Sequence, residues 1–372
     1  MAKYLGPAIA AALVHAALLM AYVRSQGGEL AALVCVDVDR VGRPPYEALH
    51  VSRKGGYDGQ YYYAIARAPW RRQSLGMDLP ALRHARILYP LASWMLSFGK
   101  TRLLPWAMPA VNLLAIAGLA ATGAALAVRY GVSAWHGFFL PLAVDAALPA
   151  LRDLGDVTST CAVCGLLAVW LWQGPSWAMA AAALAGLLAR EQNVAIVLLV
   201  LGGVCYRRRW SDALGLVATL ALWCGWQLAL RLAYGEWPMT AASGNVGVPG
   251  QGLWYLLHRI ATSSLSKASL TDVACLVVLA VRGAFGIYLL RTPADRLTVL
   301  VALAGLGLAI VAGTYVYEDR WSLMRVFAWL PLGCWLGCIQ ARQTTAAVIV
   351  SLLGLFLPVG LVVRACLLSG GA

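Results

Sequence analysis

Apolar runs of about 20 residues recur along the chain, and each is long enough to cross the hydrocarbon core of a bilayer as a helix. Only 12% of the residues are charged, whereas soluble domains contain roughly 25%. This composition excludes a water-soluble enzyme, and we predict an all-α polytopic membrane protein with a single integral membrane domain over 1–372. About eleven transmembrane helices are predicted: 6–23, 103–128, 134–151, 157–173, 176–189, 193–206, 212–234, 270–290, 297–316, 322–340 and 344–365.

Two long stretches, 24–102 and 235–269, lie outside these helices. Within the first, the apolar segment 86–98, flanked by Arg83 and Arg86, is too short to span, so we predict an interfacial helix. Orientation follows from the short loops, because Lys and Arg collect on the cytoplasmic side. With a cytoplasmic N-terminus, the cytoplasmic short loops contain Arg129, Arg207, Arg208, Arg209, Arg291, Arg296 and Arg342. Both long stretches and the C-terminus are then extracytoplasmic.

The charged residues indicate chemistry on the extracytoplasmic side. A net charge of +13 would suggest nucleic acid in a soluble protein, but here basic residues at helix ends account for it, and no nucleic-acid partner is expected. Of the 16 acidic residues, Asp212 and Asp295 fall on the cytoplasmic side and Asp145 within a span, so the others face outward. Among the nine cysteines, Cys161 and Cys164 lack further ligands nearby, which favours packing over a metal site.

Asp58 is the first candidate for chemistry. It lies in a predicted turn within GGYDGQYYYAIARAPW (55–70), just before the start of an apolar helix. A carboxylate just above the membrane can act as a general base toward a hydroxyl acceptor. An Asp before a helix also commonly caps it. The residues alone leave both interpretations open.

Three further polar segments lie at helix ends on the same side. Asp153 and Asp156 occur in LRDLGDVTST, Glu191 occurs in AREQN, and Arg320 and Arg325 occur in YEDRWSLMRVFAWLP. Ordinary alternatives are an ion pair of Asp153 with the preceding arginine and a helix cap at Asp156. An arginine buried in a span is costly and usually faces a cavity or a partner, and its planar fork suits a phosphate. Together the segments predict one extracytoplasmic pocket at the membrane surface.

The string DGQYYYAIA (58–66) resembles the first-loop motif of GT-C membrane glycosyltransferases. It is closest to the D-G-x-x-Y-x-x-I-A pattern of the mannosyltransferases that build glycosylphosphatidylinositol anchors, and of bacterial relatives assigned to cell-surface glycopolymer assembly. The bacterial set shares four more strings that occur here in the same order: RILYPL (86–91), RDLGD (152–156), ARE (189–191) and RVFAWL (325–330). These five strings extend over roughly the first 330 residues.

The resemblance implies a role for each candidate residue. The implied roles are acceptor activation by Asp58, a second acidic site at Asp153, Asp156 and Glu191, and donor-phosphate binding by Arg325 and Arg320. The implied donor is a polyprenyl-phosphate sugar, and the acceptor is a lipid or glycan hydroxyl. The tandem acidic pair of the family is absent, because Gly59 follows Asp58, so a divalent metal stays open as a cofactor.

These observations predict an inverting glycosyltransferase for cell-surface glycan or glycolipid assembly, with its active site on the outer face of a bacterial plasma membrane. A lipid-linked donor reaches that face already flipped, whereas nucleotide sugars remain in the cytoplasm. A transporter or flippase for a lipid-linked sugar is an alternative; it would show internal repeats and polar residues near the midplane, and no repeat is found. A non-catalytic subunit of an envelope assembly complex is the other alternative.

Overall fold

The structure, a computed structural model, describes residues 2–52, 55–71, 76–241, 243–264 and 266–369. Short pieces of the two long stretches, 24–102 and 235–269, lie outside these ranges. Within them the chain is helical and has no β-strand; the residues in isolated β-bridges are Asp37 and the antiparallel pair of Val246 and Ala312. The predicted all-α class is therefore confirmed.

The helices differ greatly in length, from 4 residues in the shortest to 26 in the longest. Over the described residues the α-helices are α1 Ala2–Ser25, α2 Gly59–Arg67, α3 Pro80–Ala85, α4 Leu88–Leu96, α5 Leu104–Arg129, α6 His136–Ala143, α7 Ala147–Ala150, α8 Asp156–Trp172, α9 Ser176–Ala189, α10 Val194–Tyr206, α11 Trp210–Tyr234, α12 Pro238–Ala241, α13 Gln251–Thr262, α14 Lys267–Tyr288, α15 Arg296–Val311, α16 Thr314–Glu318, α17 Arg320–Val326, α18 Trp329–Gln340, α19 Thr344–Leu352 and α20 Phe356–Ser369. Short 3-10 helices cover Leu30–Val34, Thr101–Leu103, Glu191–Asn193, Ser243–Asn245, Leu289–Arg291 and Leu353–Leu355.

Membrane-spanning capacity is clearest in four segments of the described chain. Lys3–Ser25, Thr101–Arg129, Trp210–Tyr234 and Ala268–Arg291 are long and apolar enough to cross a bilayer. The shorter apolar helices are Asp156–Trp172, Ser176–Ala189, Glu191–Tyr206, Arg296–Val311 and Thr344–Gly360. These lengths are consistent with an integral membrane protein. The count of eleven spans stays a prediction.

The predicted span 134–151 is two helices rather than one. α6 ends at Ala143, α7 begins at Ala147, and Asp145 between them has a left-handed backbone with φ of 56°. Arg282 of α14 donates to both Asp145 oxygens, at 2.6 and 3.2 Å, and to the carbonyl oxygen of Ala143 at 2.8 Å. Irregular backbone at membrane depth is tolerated where the surrounding protein satisfies its polar groups. Arg282 does this here.

The first long stretch is anchored by its own apolar cluster. Tyr61, Tyr62 and Tyr63 of α2 are buried with residues of α4 and α5, and with Leu154 of the turn before α8. The interfacial helix predicted over 86–98 corresponds in position to α4. Elsewhere α1 packs on α5, α9 on α8 and α11, and α15 on α18. The apolar cluster around the three tyrosines of α2 therefore holds the first stretch against the start of α8.

Candidate functional site

The position of Asp58 is set by the glycine that follows it. A Cβ at residue 59 would collide with the carbonyl oxygen of Arg152 and would lie 2.8 Å from that of Val34, so only glycine allows this approach. Asp58 directly precedes α2, but within the described residues its carboxylate makes no capping hydrogen bond to that helix. The close contact instead brings Asp58 to the segment that contains the string RDLGD.

The Asp58 carboxylate lies between two guanidinium groups. Its Oδ1 is 3.0 Å from Nη2 of Arg83, and its Oδ2 is 3.3 Å from Nη2 of Arg325. Arg83 also pairs at 2.9 Å with Asp78, whose side chain is 42% exposed. The Asp58 side chain is 19% exposed, whereas both arginines are buried. Asp58 is therefore held by buried cations and still reached by solvent.

Arg325 joins Asp58 to a second carboxylate. Its Nη1 donates to Asp156 at 3.1 Å, while its Nη2 donates to Asp58 and to the Tyr57 hydroxyl, both at 3.3 Å. Asp156 is the first residue of α8, and its other oxygen is 2.6 Å from Nη1 of Arg190. A buried guanidinium is thereby paired with carboxylates from two distant segments, which offsets the cost of its burial.

Glu191 belongs to the same group of charges. Arg86 donates to its two oxygens at 2.9 and 2.6 Å, the bidentate geometry in which guanidinium and carboxylate interact most strongly. Arg190, the preceding residue, contacts Asp156. Each of the five strings thus contributes a charged side chain. We call this set the arginine–carboxylate network: Asp58, Arg83, Arg86, Asp156, Arg190, Glu191 and Arg325.

Asp153 takes a different position from Asp156. Its buried carboxylate accepts a hydrogen bond from the Tyr89 hydroxyl at 3.3 Å, and Asn112 donates to the same hydroxyl at 3.1 Å. Burial raises the pKa of Asp153 well above its usual range, and the Tyr89 hydrogen bond lowers it only in part. In the described part of the chain, Arg325 contacts Asp156 and not Asp153.

Arg320 lies in a second cluster of charges. Its guanidinium donates to both oxygens of Asp272, at 2.6 and 2.8 Å. Arg259 donates to the same two oxygens, at 2.7 and 3.0 Å. These bonds connect α13, α14 and α17. They engage Arg320, to which the family resemblance gives the same donor-phosphate role as to Arg325.

The arginines hold Asp58 and Glu191 in their charged form. Burial raises the pKa of Asp58, but Arg83, Arg325 and Arg86 outweigh it and bring that pKa down to about 2. Burial also raises the pKa of Glu191, and Arg86 brings it down to about 2. Both carboxylates are therefore ionised at neutral pH, and Asp58 is a weak base while both of its guanidinium partners are in contact with it.

The space next to Arg325 is closed. A cleft lined by Asp156, Thr160 and Arg325, together with apolar side chains, is too narrow to hold a water molecule. Tyr57 closes another side, because its ring lies 5.6 Å from the Arg325 guanidinium and its hydroxyl donates to Asp319 at 2.5 Å. In this arrangement the guanidinium groups are covered by the carboxylates of the chain itself.

Sequence reasoning did not assign Arg83, Arg86 or Tyr57 to the site. The sequence indicates the two arginines only as the flank of an interfacial helix, although Arg86 opens the string RILYPL, and that position is a signal for a role in the site. Tyr57 directly precedes Asp58, but nothing in its spacing indicates a contact with Arg325, 268 residues away. Contacts over such separations depend on the packing of the whole chain.

The described residues contain no group of three or more His, Cys, Asp or Glu side chains that could hold a metal ion. Compared with known proteins, the chain matches no family model, no curated protein and no solved structure. The observations that bear on function are therefore the five strings and the geometry of the network.

Proposed function

We propose that the protein is a GT-C-like inverting glycosyltransferase, which moves a sugar from a polyprenyl-phosphate donor to a hydroxyl acceptor at the extracytoplasmic membrane face. One observation carries the proposal: ion pairs join charged side chains of four of the five strings, and Arg86 of the fifth string pairs with Glu191, the neighbour of Arg190. Asp58 and Arg325, which the resemblance pairs as base and phosphate ligand, are in contact although 267 residues separate them. Shared chemistry explains why segments so far apart supply one network.

Asp58 is the general base of the proposed reaction. The acceptor hydroxyl gives its proton to the Asp58 carboxylate while its oxygen attacks the anomeric carbon of the donor sugar. The bond from that carbon to the phosphate oxygen breaks, and the electron pair leaves with the phosphate. Asp58 suits this role because its side chain is 19% exposed, against 5% for Asp156. A single displacement inverts the anomeric centre.

Arg325 is the phosphate ligand of the proposed reaction. A planar guanidinium matches two phosphate oxygens and stabilises the charge that develops as the phosphate leaves. Asp156 and Glu191 are positioning residues, since they hold Arg325 and its neighbours Arg190 and Arg86 in place. Because Arg325 contacts Asp58, the proposed base, whereas Arg320 pairs with Asp272 in a separate cluster, we assign the phosphate to Arg325.

The proposed setting is a polytopic protein of a bacterial plasma membrane, with about eleven spans and the network outside. The long apolar helices support the membrane location. The outward orientation rests on the distribution of arginines in the short loops. Recognition of the acceptor is assigned to the loops around the network, and the sugar is not specified.

The flippase alternative has one feature in its favour. The break between α6 and α7 and the buried Asp145–Arg282 pair are the kind of polar interruption found at transporter midplanes. The two side chains pair with each other, and Arg282 also donates to the carbonyl oxygen of Ala143. A flippase moves an intact lipid-linked sugar, whereas a transferase releases polyprenyl phosphate, so the product separates the two functions.

The test uses purified protein with polyprenyl-phosphate sugars labelled in the sugar, and measures both sugar transfer and released polyprenyl phosphate. Asp58→Asn should fold normally but lower turnover by roughly 10²-fold or more, the usual effect of losing a general base. Asn caps a helix about as well as Asp, so a capping role predicts unchanged turnover. Asp78→Asn is the matched control, because it removes an exposed carboxylate from the same Arg83. Wild-type transfer by Asp58→Asn would contradict the proposal.

A further inference from the structure

In the structure, Asp58 and Arg325, the base and the phosphate ligand of the proposed reaction, are in direct contact with each other. Arg325 Nη2 contacts the Asp58 carboxylate, and the cleft on its other side has no room for a water molecule. A phosphate that reached Arg325 in this arrangement would meet a negatively charged group already in place. Donor binding therefore requires that some carboxylate of the network give way.

We propose that the phosphate of the lipid donor displaces Asp58 from Arg325, so that binding of the donor releases the base. This inference rests on the proposed function and adds an order to it: the donor binds first, and the acceptor is activated only afterwards. Asp58 in the unliganded protein acts as an internal competitor for the phosphate site.

The distances indicate which contact yields. Asp58 and Arg325 are joined by one contact of 3.3 Å, longer than the roughly 2.7–2.9 Å of strong charge-assisted hydrogen bonds. The Arg190–Asp156 contact is 2.6 Å, and Arg325 reaches Asp156 at 3.1 Å. The contact with Asp58 is therefore the longer of the two that Arg325 makes to a carboxylate and the one we expect to yield, while the remaining contacts keep the guanidinium in position.

The exposed fractions of the side chains also indicate that Asp58 is the group that yields. Asp58 is the most exposed side chain of the network, at 19%, while Arg325 is 6% exposed. An anion that approaches from outside therefore meets Asp58 before it meets Arg325. Arg83, 3.0 Å from the other Asp58 oxygen, retains the carboxylate after it leaves Arg325. Displacement is thus a rotation of one side chain rather than the opening of the network.

The exchange explains how an acid held by two guanidinium groups becomes an effective base. Once Arg325 is bound to phosphate, its positive charge is neutralised there and no longer favours ionised Asp58. The adjacent phosphate is a like charge, which raises the proton affinity of a carboxylate. Asp58 therefore becomes more basic only when the donor sugar is present.

The test measures binding of farnesyl monophosphate to the purified full-length protein in detergent by calorimetry. Asp58→Asn should bind it about tenfold more tightly than the wild type, because the amide keeps the shape of the carboxylate but neither competes for Arg325 nor repels the phosphate. Asp78→Asn is the matched control, since Asp78 pairs with the same Arg83 and not with Arg325; its affinity should stay near that of the wild type.

Two further ligands separate the sources of the effect. Farnesol has the same chain without the phosphate, so its binding should not respond to Asp58→Asn. Inorganic phosphate should bind more weakly than farnesyl monophosphate and gain the same factor in the variant. Equal binding of the two phosphates would overturn the assignment to a lipid donor, and a gain for farnesol would overturn competition at the phosphate.

The outcomes for this inference and for the proposed function differ. If the wild type binds farnesyl monophosphate but Asp58→Asn binds it no more tightly, displacement is overturned and the transferase remains. If neither the wild type nor Asp58→Asn binds it, the donor site itself is overturned. Should Asp58→Asn fail to fold, carbodiimide labelling of Asp58 in the wild type replaces it. Labelling should increase with farnesyl monophosphate, and protection of Asp58 would contradict its release.

Discussion

At the scale of the residue, Arg325 connects the late part of the chain with the first long stretch. Its guanidinium pairs with Asp58 and Asp156 and also donates to Tyr57 and to Ser322. With only 6% of its side chain exposed, it would be costly to hold without such partners. The same planar group that satisfies two carboxylates is suited to the oxygens of a phosphate.

Two replacements of Arg325 distinguish the contribution of its charge to phosphate binding from that of its planar guanidinium. Arg325→Lys keeps the charge but loses the planar fork, so the protein should fold and its affinity for farnesyl monophosphate should fall about tenfold, the equivalent of one charged hydrogen bond. Arg325→Met should abolish binding and lower the thermal stability in detergent, because Asp58 and Asp156 each lose a cation. Calorimetry and thermal unfolding measure these effects.

Arg259→Lys is the matched control for this pair of variants, because it alters a bidentate arginine in the cluster around Asp272. Its affinity for farnesyl monophosphate should equal that of the wild type. Unchanged affinity in both Arg325 variants would exclude Arg325 as the phosphate ligand.

At the scale of the element, the break between α6 and α7 is held by a helix far away in sequence. Arg282 of α14 pairs with Asp145 at 2.6 Å, and both side chains are buried. The 3-10 segment after α19 packs closely on the same break: a Cβ at Gly354 would collide with the carbonyl oxygen of Leu142 and lie 2.8 Å from Asp145 Oδ1. The ion pair is therefore enclosed by protein.

The Asp145–Arg282 pair should contribute strongly to stability. Arg282→Met leaves a buried carboxylate without its cation and should lower the free energy of unfolding by about 3–5 kcal/mol. Combining it with Asp145→Asn should restore part of that loss, because the double variant buries no unpaired charge. Thermal unfolding in detergent measures both variants.

The exposed pair of Arg67 and Glu47 provides the comparison for this prediction. Arg67→Met should lower the free energy of unfolding by about 1 kcal/mol or less, since exposed ion pairs contribute little to stability. If Arg282→Met lowered the free energy of unfolding as little as Arg67→Met does, the buried pair would not stabilise the break between α6 and α7.

At the scale of the whole molecule, the orientation in the membrane decides whether the network faces outward. In a background without native cysteines, Ala48→Cys in the first long stretch should react with an impermeant maleimide in intact cells. Tyr206→Cys, beside the basic loop after α10, should react only after permeabilisation, because Lys and Arg mark the cytoplasmic side. Both positions are exposed in the structure. The reverse pattern would place the network in the cytoplasm and contradict the proposed use of a flipped donor.

The sequence determined the helical class, because apolar runs of membrane length need no long-range information to be recognised. It did not determine where those runs break. The apolar segment 134–151 reads as one span, yet Asp145 is turned toward Arg282, whose place in the described structure depends on how α14 packs. A break of this kind is stabilised by a partner that local hydropathy does not contain.

The sequence likewise identified Asp58, Asp156 and Arg325 as candidates, because several polar segments at apolar helix ends fall on one predicted side, and an arginine within an apolar run is costly. Only the tertiary structure decided which of them meet. It brought Asp156 rather than Asp153 to Arg325, and it engaged Arg320 elsewhere. The reason is physical: ion pairs form between side chains that packing brings within a few ångströms, and partners more than a hundred residues apart leave no periodicity in the chain that would reveal them.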